Sequence, residues 1–566
     1  MRGVIIFSCL IFCFMGGCGS NDIKDSGGMP ESDGIVRLLI DADPVLYNDA
    51  ANEISERLYG IFLEDINHAL DGGMYAELVK NRSFEFGPAA EKENYHGWNV
   101  SDAEAVEFTI FNDGEPLNPD ALPANNASAL NRHNSHFARI IVRSEAAGDG
   151  WGGIGNRGFL KGLAVEENKD YYFSAYLKSA FADEEAHFAP VSDIRIQLRN
   201  GSGDVFAEQY LTGITGEWQK FSCILTPTET VTQNLRLYIE IAEGTLYLDM
   251  VSLMPKDTYR NTVIRKDIGE YLEALNPGFI RFPGGCVVEG SSLETMYNWK
   301  DSIGNGHFFD DGGEVKVGDI AVRPQGRSIW NGNMNDPYYT THGFGFYEFF
   351  ELCELLGSEP IPVLNAGMTC QIQSRNYIVH SMNSDEFKQA VQDALDLVEF
   401  ARGGTDTYWG KVRADMEHEE PFHLKYIGIG NEQWQSEYFA HYRAFVEAFD
   451  EAALERPELF AGIELIVANG AVSGDRMGWD YVKNNPDQWT TLVDEHYYET
   501  PEWFFTNTTR YDSYDRDMNA KVFLGEYAAR ANTLEAALAE AAAGVILFPV
   551  CKSSALIKRA GRYRGQ

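Results

Sequence analysis

The sequence predicts an α/β protein: a (β/α)8 TIM barrel interrupted by an inserted all-β jelly-roll sandwich. Two observations carry the barrel. Short runs of β-branched and aromatic residues stop abruptly in polar residues, as residues 425–434 (KYIGIGNEQW) do at Gly430-Asn431-Glu432 and residues 521–527 (KVFLGEY) at Gly525-Glu526. Amphipathic stretches of helical period alternate with these runs, the pattern of repeated β/α units. A third observation gives the insertion. Between residues 88 and 255 apolar and polar residues alternate in short segments separated by Gly, Asn, Asp and Thr, which reads as a sandwich.

Taken in order, residues 1–18 (MRGVIIFSCLIFCFMGGC) form a signal peptide: one Arg, an apolar run short for a bilayer span, then small residues before Cys18. Gly16-Gly17-Cys18 resembles the box at which bacterial lipoproteins are cleaved and lipidated on the cysteine. Residues 19–34 then serve as a polar tether, and residues 35–57 hold an apolar N-terminal strand, IVRLLID. Residues 58–87 read as the first β/α unit, with LYGIFLE closing in Glu64 and DINHALDGGMYAELVKNRSFEF as its helix. The sandwich follows over 88–255. Its Trp151, Trp218 and Tyr238 are candidates either for stacking on sugars or for the core.

The barrel resumes over 256–543. FIRFPGGCVVEG supplies a strand and a Gly-Gly turn bearing Cys286, residues 344–356 a helix, and EPIPVLNAG a strand ending at Asn365. A helix over 385–401 leads to the Glu432 strand, and a further strand covers 463–469. LVDEHYYETPEWF sets Asp494, His496, Tyr497, Tyr498 and Trp503 at a strand end, then comes Glu526, with Asn532 capping a helix TLEAALAEAAA. Strand ends fall at 64, 283, 365, 431, 469, 497 and 526, which puts Glu432 on the fourth strand and Glu526 on the seventh.

The composition narrows the function. A chain of 566 residues with 44% hydrophobic content buries a large core. A formal net charge of -39 excludes the basic surface that a nucleic-acid partner requires and suits a neutral ligand such as a polysaccharide. The eight cysteines lack CxxC pairs or even spacing, so neither a zinc site nor a disulfide framework is expected, and no cofactor is called for. In a parallel barrel the C-terminal strand ends face the substrate. Two carboxylates there suit glycoside hydrolysis, one protonated to release the leaving oxygen and one ionised to attack the sugar or activate water.

The motifs GIFLEDINHALDGGMYAELVKNRSFEF, FIRFPGGCVVEG, NAGMTC, YIGIGNEQW, DEHYY and FLGEYAA together resemble the family 51 α-L-arabinofuranosidases, over roughly residues 58–542. The insertion resembles the carbohydrate-binding module that many members carry at this place. The resemblance implies a retaining, exo-acting enzyme removing arabinofuranose from arabinan or arabinoxylan, with Glu432 as acid/base and Glu526 as nucleophile. It further implies Asn431 on the sugar's 2-hydroxyl, Glu64 and Cys286 lining the arabinose pocket with Asn365 at its rim, and Tyr497 holding the nucleophile. The implied partner is an arabinose-containing plant glycan met at a bacterial cell envelope, the membrane being reached through the Cys18 lipid alone; the oligomeric state stays open.

The ending departs from that pattern. After FLGEYAARANTLEAALAEAA the family adds an eighth strand and a β-sandwich, whereas residues 544–566 carry Lys552, Lys558, Arg559, Arg562 and Arg564 and no acid. This tail reads as a shifted or shortened reading frame leaving the barrel incomplete at its last strand and the C-terminal sandwich missing; the rival reading takes GVILFPV as a genuine eighth strand. Two other functions therefore stand beside the first: a sugar-binding surface lipoprotein with an inactive barrel, and a related barrel glycosidase such as an endoglucanase or xylosidase.

Overall fold

The structure, a computed structural model, describes residues 58–547 apart from 87–96, 103, 119–120, 123, 125–126, 144–149, 181–188, 293–294, 305–322, 331–338, 375–376 and 516. The leader, the Cys18 box, the tether and the strand expected at 35–57 lie outside the described residues.

Seven parallel strands make one sheet in chain order: Ile61–Phe62, Phe279–Phe282, Glu359–Leu364, Tyr426–Ile429, Glu464–Ala468, Thr490–Glu499 and Lys521–Ala529. Their registers include Ile61↔Ile280, Phe282↔Pro362 and Ile429↔Val467. The middle strands are buried on both faces, as expected where helices cover a parallel sheet, which is why they read as unbroken apolar runs. Phe279, Ile361, Tyr426, Ile466, Leu492 and Phe523, one from each of six strands, form an interior layer. Phe62 of the first strand shares a cluster with Leu524 of the seventh, so the sheet curls until its two edges meet in a nearly closed barrel.

Helices follow the strands: Lys266–Leu275, Phe346–Leu356, Asp385–Arg402, Ser436–Glu455, Met477–Asn484, Pro501–Thr506 and Leu534–Leu547. Ser384 caps the third through its side chain, accepting from the Phe387 amide. The last helix is capped by Thr533, whose Oγ1 accepts from the Ala536 amide at 3.1 Å, rather than by Asn532. That helix runs through residue 547, so the first residues of the stretch read as a foreign tail or eighth strand are helical; the remainder, 548–566, lies outside the described residues.

The helix expected just after Glu64 does not form. Residues 65–86 run as turns, with Asn67, His68, Asn81 and Phe84 at positive φ. Polar side chains there are spent on long-range contacts: Asp71 accepts from the Thr341 amide and hydroxyl, and Glu77 from the Leu253 amide and the Ser252 hydroxyl. Helical spacing of Ala, Glu and Leu is outweighed by these buried hydrogen bonds. The insertion therefore lies between the first strand and its helix, Lys266–Leu275, not after a complete β/α unit.

The insertion folds as two antiparallel six-stranded sheets around one core. One sheet orders Val205–Thr212, Asp193–Asn200, Val231–Ile241, Gly152–Asn156 and Trp98–Val100, with Leu163–Val165 also on Val231–Ile241. The other orders Gln219–Leu225, Tyr171–Ser179, Gly244–Pro255, His136–Val142, Val106–Asn112 and Glu115–Pro116. Alternation does what the sequence pattern requires, Phe173, Ala175 and Leu177 pointing inward against Ile194, Ile196, Leu237 and Ile239. Val79 and Phe84, N-terminal to residue 88, belong to the same core.

Candidate active site

Three strand ends bring the chemistry together. Tyr426–Ile429 delivers Asn431 and Glu432; the Tyr438 hydroxyl donates to the Ile429 carbonyl at 2.7 Å and accepts from the Ala468 amide at 2.8 Å, fixing this end against the next strand. Thr490–Glu499 presents alternate residues inward, so Asp494, His496 and Tyr498 share the interior face while Glu495 and Tyr497 face the helices. Lys521–Ala529 carries Glu526.

Glu432 and Glu526 are both buried and converge on His496, whose Nδ1 lies 2.9 Å from Glu432 Oε1 and 3.8 Å from Glu526 Oε2. Carboxylate oxygens of the two glutamates and the His496 nitrogen all fall within 4.8 Å of one another. Burial, then repulsion from Glu526, pushes the Glu432 carboxyl above its ordinary range, while the hydrogen bond to His496 pulls it partly back. Burial disfavours a charge on His496, but Glu526, Asp494 and Glu432 around it together hold its imidazole well above the usual value.

Arg281 lies wholly buried beneath this pair. It donates to Glu526 Oε1 at 2.9 Å and to Asn431 Oδ1 at 2.7 Å, with Asp494 Oδ2 at 3.5 Å. Glu526 also accepts from the Tyr498 hydroxyl at 2.7 Å. Two strong donors aimed at one carboxylate suit an anion held in a fixed orientation. A Cβ at residue 285 would lie 2.8 Å from Glu526 Oε1, and one at residue 284, whose φ is +142°, 2.5 Å from Glu64 Cγ. The Gly-Gly turn thus lets backbone approach the carboxylates where no side chain fits.

Glu64 is at the same rim. Burial above all, then Glu526, raises its carboxyl to about 8, against a lowering by Arg281. Trp330 lies near enough to pull that carboxyl slightly down, yet neither its Nε1 nor Glu64 Oε1 makes a hydrogen bond of ordinary geometry among the described residues, as polar groups awaiting a ligand would be. Cys286 is buried beside Cys370 and Glu289; the hydrogen bond between the thiols lowers Cys370 to about 7 and drives Cys286 up. Asn431 Nδ2 makes one long contact, 3.4 Å to Glu289 Oε2.

Two expected binding residues are placed otherwise. The Tyr497 hydroxyl is 2.8 Å from that of Tyr511 and accepts from Arg510 Nε at 2.8 Å, on the opposite strand face from Glu526; Tyr498 holds the glutamate instead. Asn365 spends both ends of its amide on backbone, Nδ2 on the Val288 carbonyl at 3.0 Å and Oδ1 on the Gly367 and Met368 amides, and so shapes the loop.

Arg281, Trp330, Glu289 and Cys370 were not singled out as site residues by the sequence. Arg281 offered a signal, as a cation inside the apolar run FIRF that a buried strand tolerates only with anionic partners. In the sandwich, Trp218 donates to the Ser128 carbonyl and edges against Phe137, whereas Trp151 meets Tyr210 on the outer sheet face.

A family profile described as "Alpha-L-arabinofuranosidase 1 domain" matches residues 271–516. The chain is 34% identical to an extracellular exo-α-L-arabinofuranosidase of Streptomyces chartreusis across 86% of its own length, spanning about half, 53%, of that relative. It is 31% identical to α-L-arabinofuranosidase 2 of Arabidopsis thaliana, covering 90% of this chain and 67% of the plant protein. α-L-Arabinofuranosidase 1 of the same plant is 30% identical, with 93% and 68% covered. Among solved structures, an arabinose-bound MgGH51 α-L-arabinofuranosidase superposes with a TM-score of 0.70 at 24% identity, over 90% of this chain and 74% of that one, and so shares the fold. With identity at this level over two thirds of the plant enzymes, and with the barrel and its strand-end carboxylates in place, the chain belongs to the family 51 α-L-arabinofuranosidases.

Proposed function

We propose that the chain is a retaining, exo-acting α-L-arabinofuranosidase that removes terminal arabinofuranose from arabinan or arabinoxylan. The observation that carries this is the close approach of Glu432 and Glu526, with oxygens within 4.8 Å. Carboxyl groups about 5–5.5 Å apart suit attack by one on the sugar, while an inverting pair needs about 6.5–9.5 Å to admit a water.

In the proposed reaction Glu526 attacks the anomeric carbon, steered by Arg281 and Tyr498. Glu432, its proton retained by burial and by the neighbouring Glu526, gives that proton to the departing oxygen. Once the glycosyl ester has formed, the Glu526 charge is consumed, so Glu432 ionises more readily and takes a proton from the incoming water. The long contact of Asn431 Nδ2 leaves it disposed toward the 2-hydroxyl, a contact that strengthens as positive charge grows at the adjacent carbon. Glu64, protonated at neutral pH, and Trp330 offer donors to other hydroxyls. No cofactor takes part.

The sandwich serves in this reading as a carbohydrate-binding module of jelly-roll type. Support comes from its outer face, where half-exposed Tyr210 meets Trp151, Arg195 sits over Trp151 and Arg199 over Tyr238. Cys18 anchors the enzyme at the cell envelope.

The deciding experiment is NMR of the first-formed arabinose, which emerges as the same anomer as the substrate; inversion overturns the mechanism. Retardation of the chain in arabinoxylan gels, lost in Tyr210→Ala, tests the sandwich separately.

A further inference from the structure

A second group of donors adjoins the paired carboxylates through the contact between Asn431 and Glu289. Sγ of Cys286, Sγ of Cys370 and a carboxylate oxygen of Glu289 fall within 4.8 Å of one another, all three residues buried, Glu289 and Cys370 completely. Glu289 Oε1 makes no hydrogen bond to a nitrogen or oxygen donor among the described residues, the carboxyl interacting instead with the Cys370 thiol. A fully buried carboxylate is costly unless a proton or cation attends it.

The group is rigidly built. Cys286 and Glu289 open and close one helical turn, Cys286–Glu289, and Cys370 arrives on the loop after Glu359–Leu364. The two segments are pinned by the Cys370 amide on the Gly290 carbonyl at 2.8 Å and by Asn365 Nδ2 on the Val288 carbonyl at 3.0 Å. Donors fixed by their own backbone lose little freedom on taking up a ligand.

We propose that Cys286, Glu289 and Cys370 form a site for one soft divalent cation of the zinc and cadmium class. Two thiolates and one carboxylate are a donor set for such ions and a poor one for magnesium or calcium, which demand oxygen ligands. Three protein donors leave the fourth tetrahedral position open. The net charge of -39 raises the local concentration of any cation. The other convergent group, Glu432, His496 and Glu526, is served already by Arg281 and Tyr498. Binding is inhibitory: a cation on Glu289 competes with its contact to Asn431, next in sequence to Glu432, a consequence that rests on the proposed function.

The test titrates the full chain with Cd2+ and follows the thiolate-to-metal charge-transfer absorbance. The expected result is a band saturating at one equivalent, lost in Cys370→Ser. Release of arabinose by the unaltered chain falls with Cd2+ and recovers with a chelator, while Cys370→Ser, each rate taken relative to its own metal-free rate, is at least roughly tenfold less sensitive. An equal band in chain and variant overturns the site; equal inhibition overturns its inhibitory role. A second measurement needs no variant: the unaltered chain dialysed against Zn2+ and then against metal-free buffer retains about one equivalent by atomic emission, released by Cd2+ as the thiolate band appears, and a chain that retains none overturns the proposal. Absorbance and metal content hold whether or not the chain cleaves arabinosides.

Discussion

The Tyr498 hydroxyl donates to Glu526 Oε2 at 2.7 Å, while the adjacent Tyr497 turns its hydroxyl to Tyr511 and Arg510 on the other face of the strand. One residue separates a group that orients the nucleophile from a group that packs the helix layer.

Tyr498→Phe removes one of the two donors to Glu526. A hydrogen bond to a charged group is worth about 1.5–3 kcal/mol, so kcat/KM on an aryl α-L-arabinofuranoside falls about 10- to 100-fold with little change in melting temperature. Tyr497→Phe shows the reverse, a lowered melting temperature and kcat/KM within about threefold of the parent. Steady-state kinetics and thermal melts on both variants separate the assignments; a larger kinetic loss in Tyr497→Phe would falsify them.

The two glutamates respond differently to truncation. Glu526→Ala abolishes turnover of every substrate, since no glycosyl ester can form. Glu432→Ala still becomes glycosylated by substrates with good leaving groups, and azide restores turnover by attacking the ester without base assistance. Rates across a series of aryl leaving groups check this, and equal leaving-group sensitivity in both variants contradicts the roles.

Glu64 makes stability fall as pH rises. Its carboxyl titrates near 8 when folded and near 4.5 otherwise, so between these values the folded chain holds a proton that the unfolded chain has lost. Stability is therefore highest below pH ~4.5 as far as this group is concerned, and declines until about pH 8, by as much as roughly 5 kcal/mol. Glu64→Gln flattens this dependence. Melting temperatures from pH 5 to 8.5 that decline in parallel for parent and variant count against it.

The sandwich needs residues ahead of its first strand. Val79 and Phe84 lie in its core, and the Trp98 indole donates to the Asn81 carbonyl at 2.8 Å. A fragment of residues 77–256 melts cooperatively and well above one of residues 88–256, since losing a buried phenylalanine alone costs about 3–5 kcal/mol. Circular dichroism melts of the two fragments decide it, and indistinguishable midpoints would place the boundary at residue 88 after all.

The order and approximate ends of the barrel strands were legible because parallel strands buried on both faces leave unbroken apolar runs, and Glu432 and Glu526 stood out as carboxylates closing such runs. The residues that arrange them were harder to read. The resemblance points to Tyr497, whereas period-two counting from Asp494 selects Tyr498, the residue that reaches Glu526; alternation was the better guide at this strand end. Asn365 looked like a strand-end ligand, but a side-chain amide competes for nearby backbone groups and here wins several. The missing helix after Glu64 was illegible for a different reason: the partners of Asp71 and Glu77 lie 270 and 176 residues away.

Placing the insertion between the first strand and its helix has a consequence for how the chain reaches its native state. Ile61 must find Ile280 across the whole sandwich, and a contact so distant in sequence is slow to form from a disordered loop. The sandwich shortens that search once it has folded, because its two ends are tied together by the Leu78 amide on the Leu253 carbonyl at 3.0 Å and the Ala76 amide on the Val263 carbonyl at 2.8 Å. From then on the first strand reaches its partner through some fourteen residues on its own side, 62–75, and about sixteen on the other, 264–279. On a ribosome the sandwich is complete long before the seventh strand emerges, so it acts as a prefolded staple that holds the first strand in waiting for the rest of the barrel.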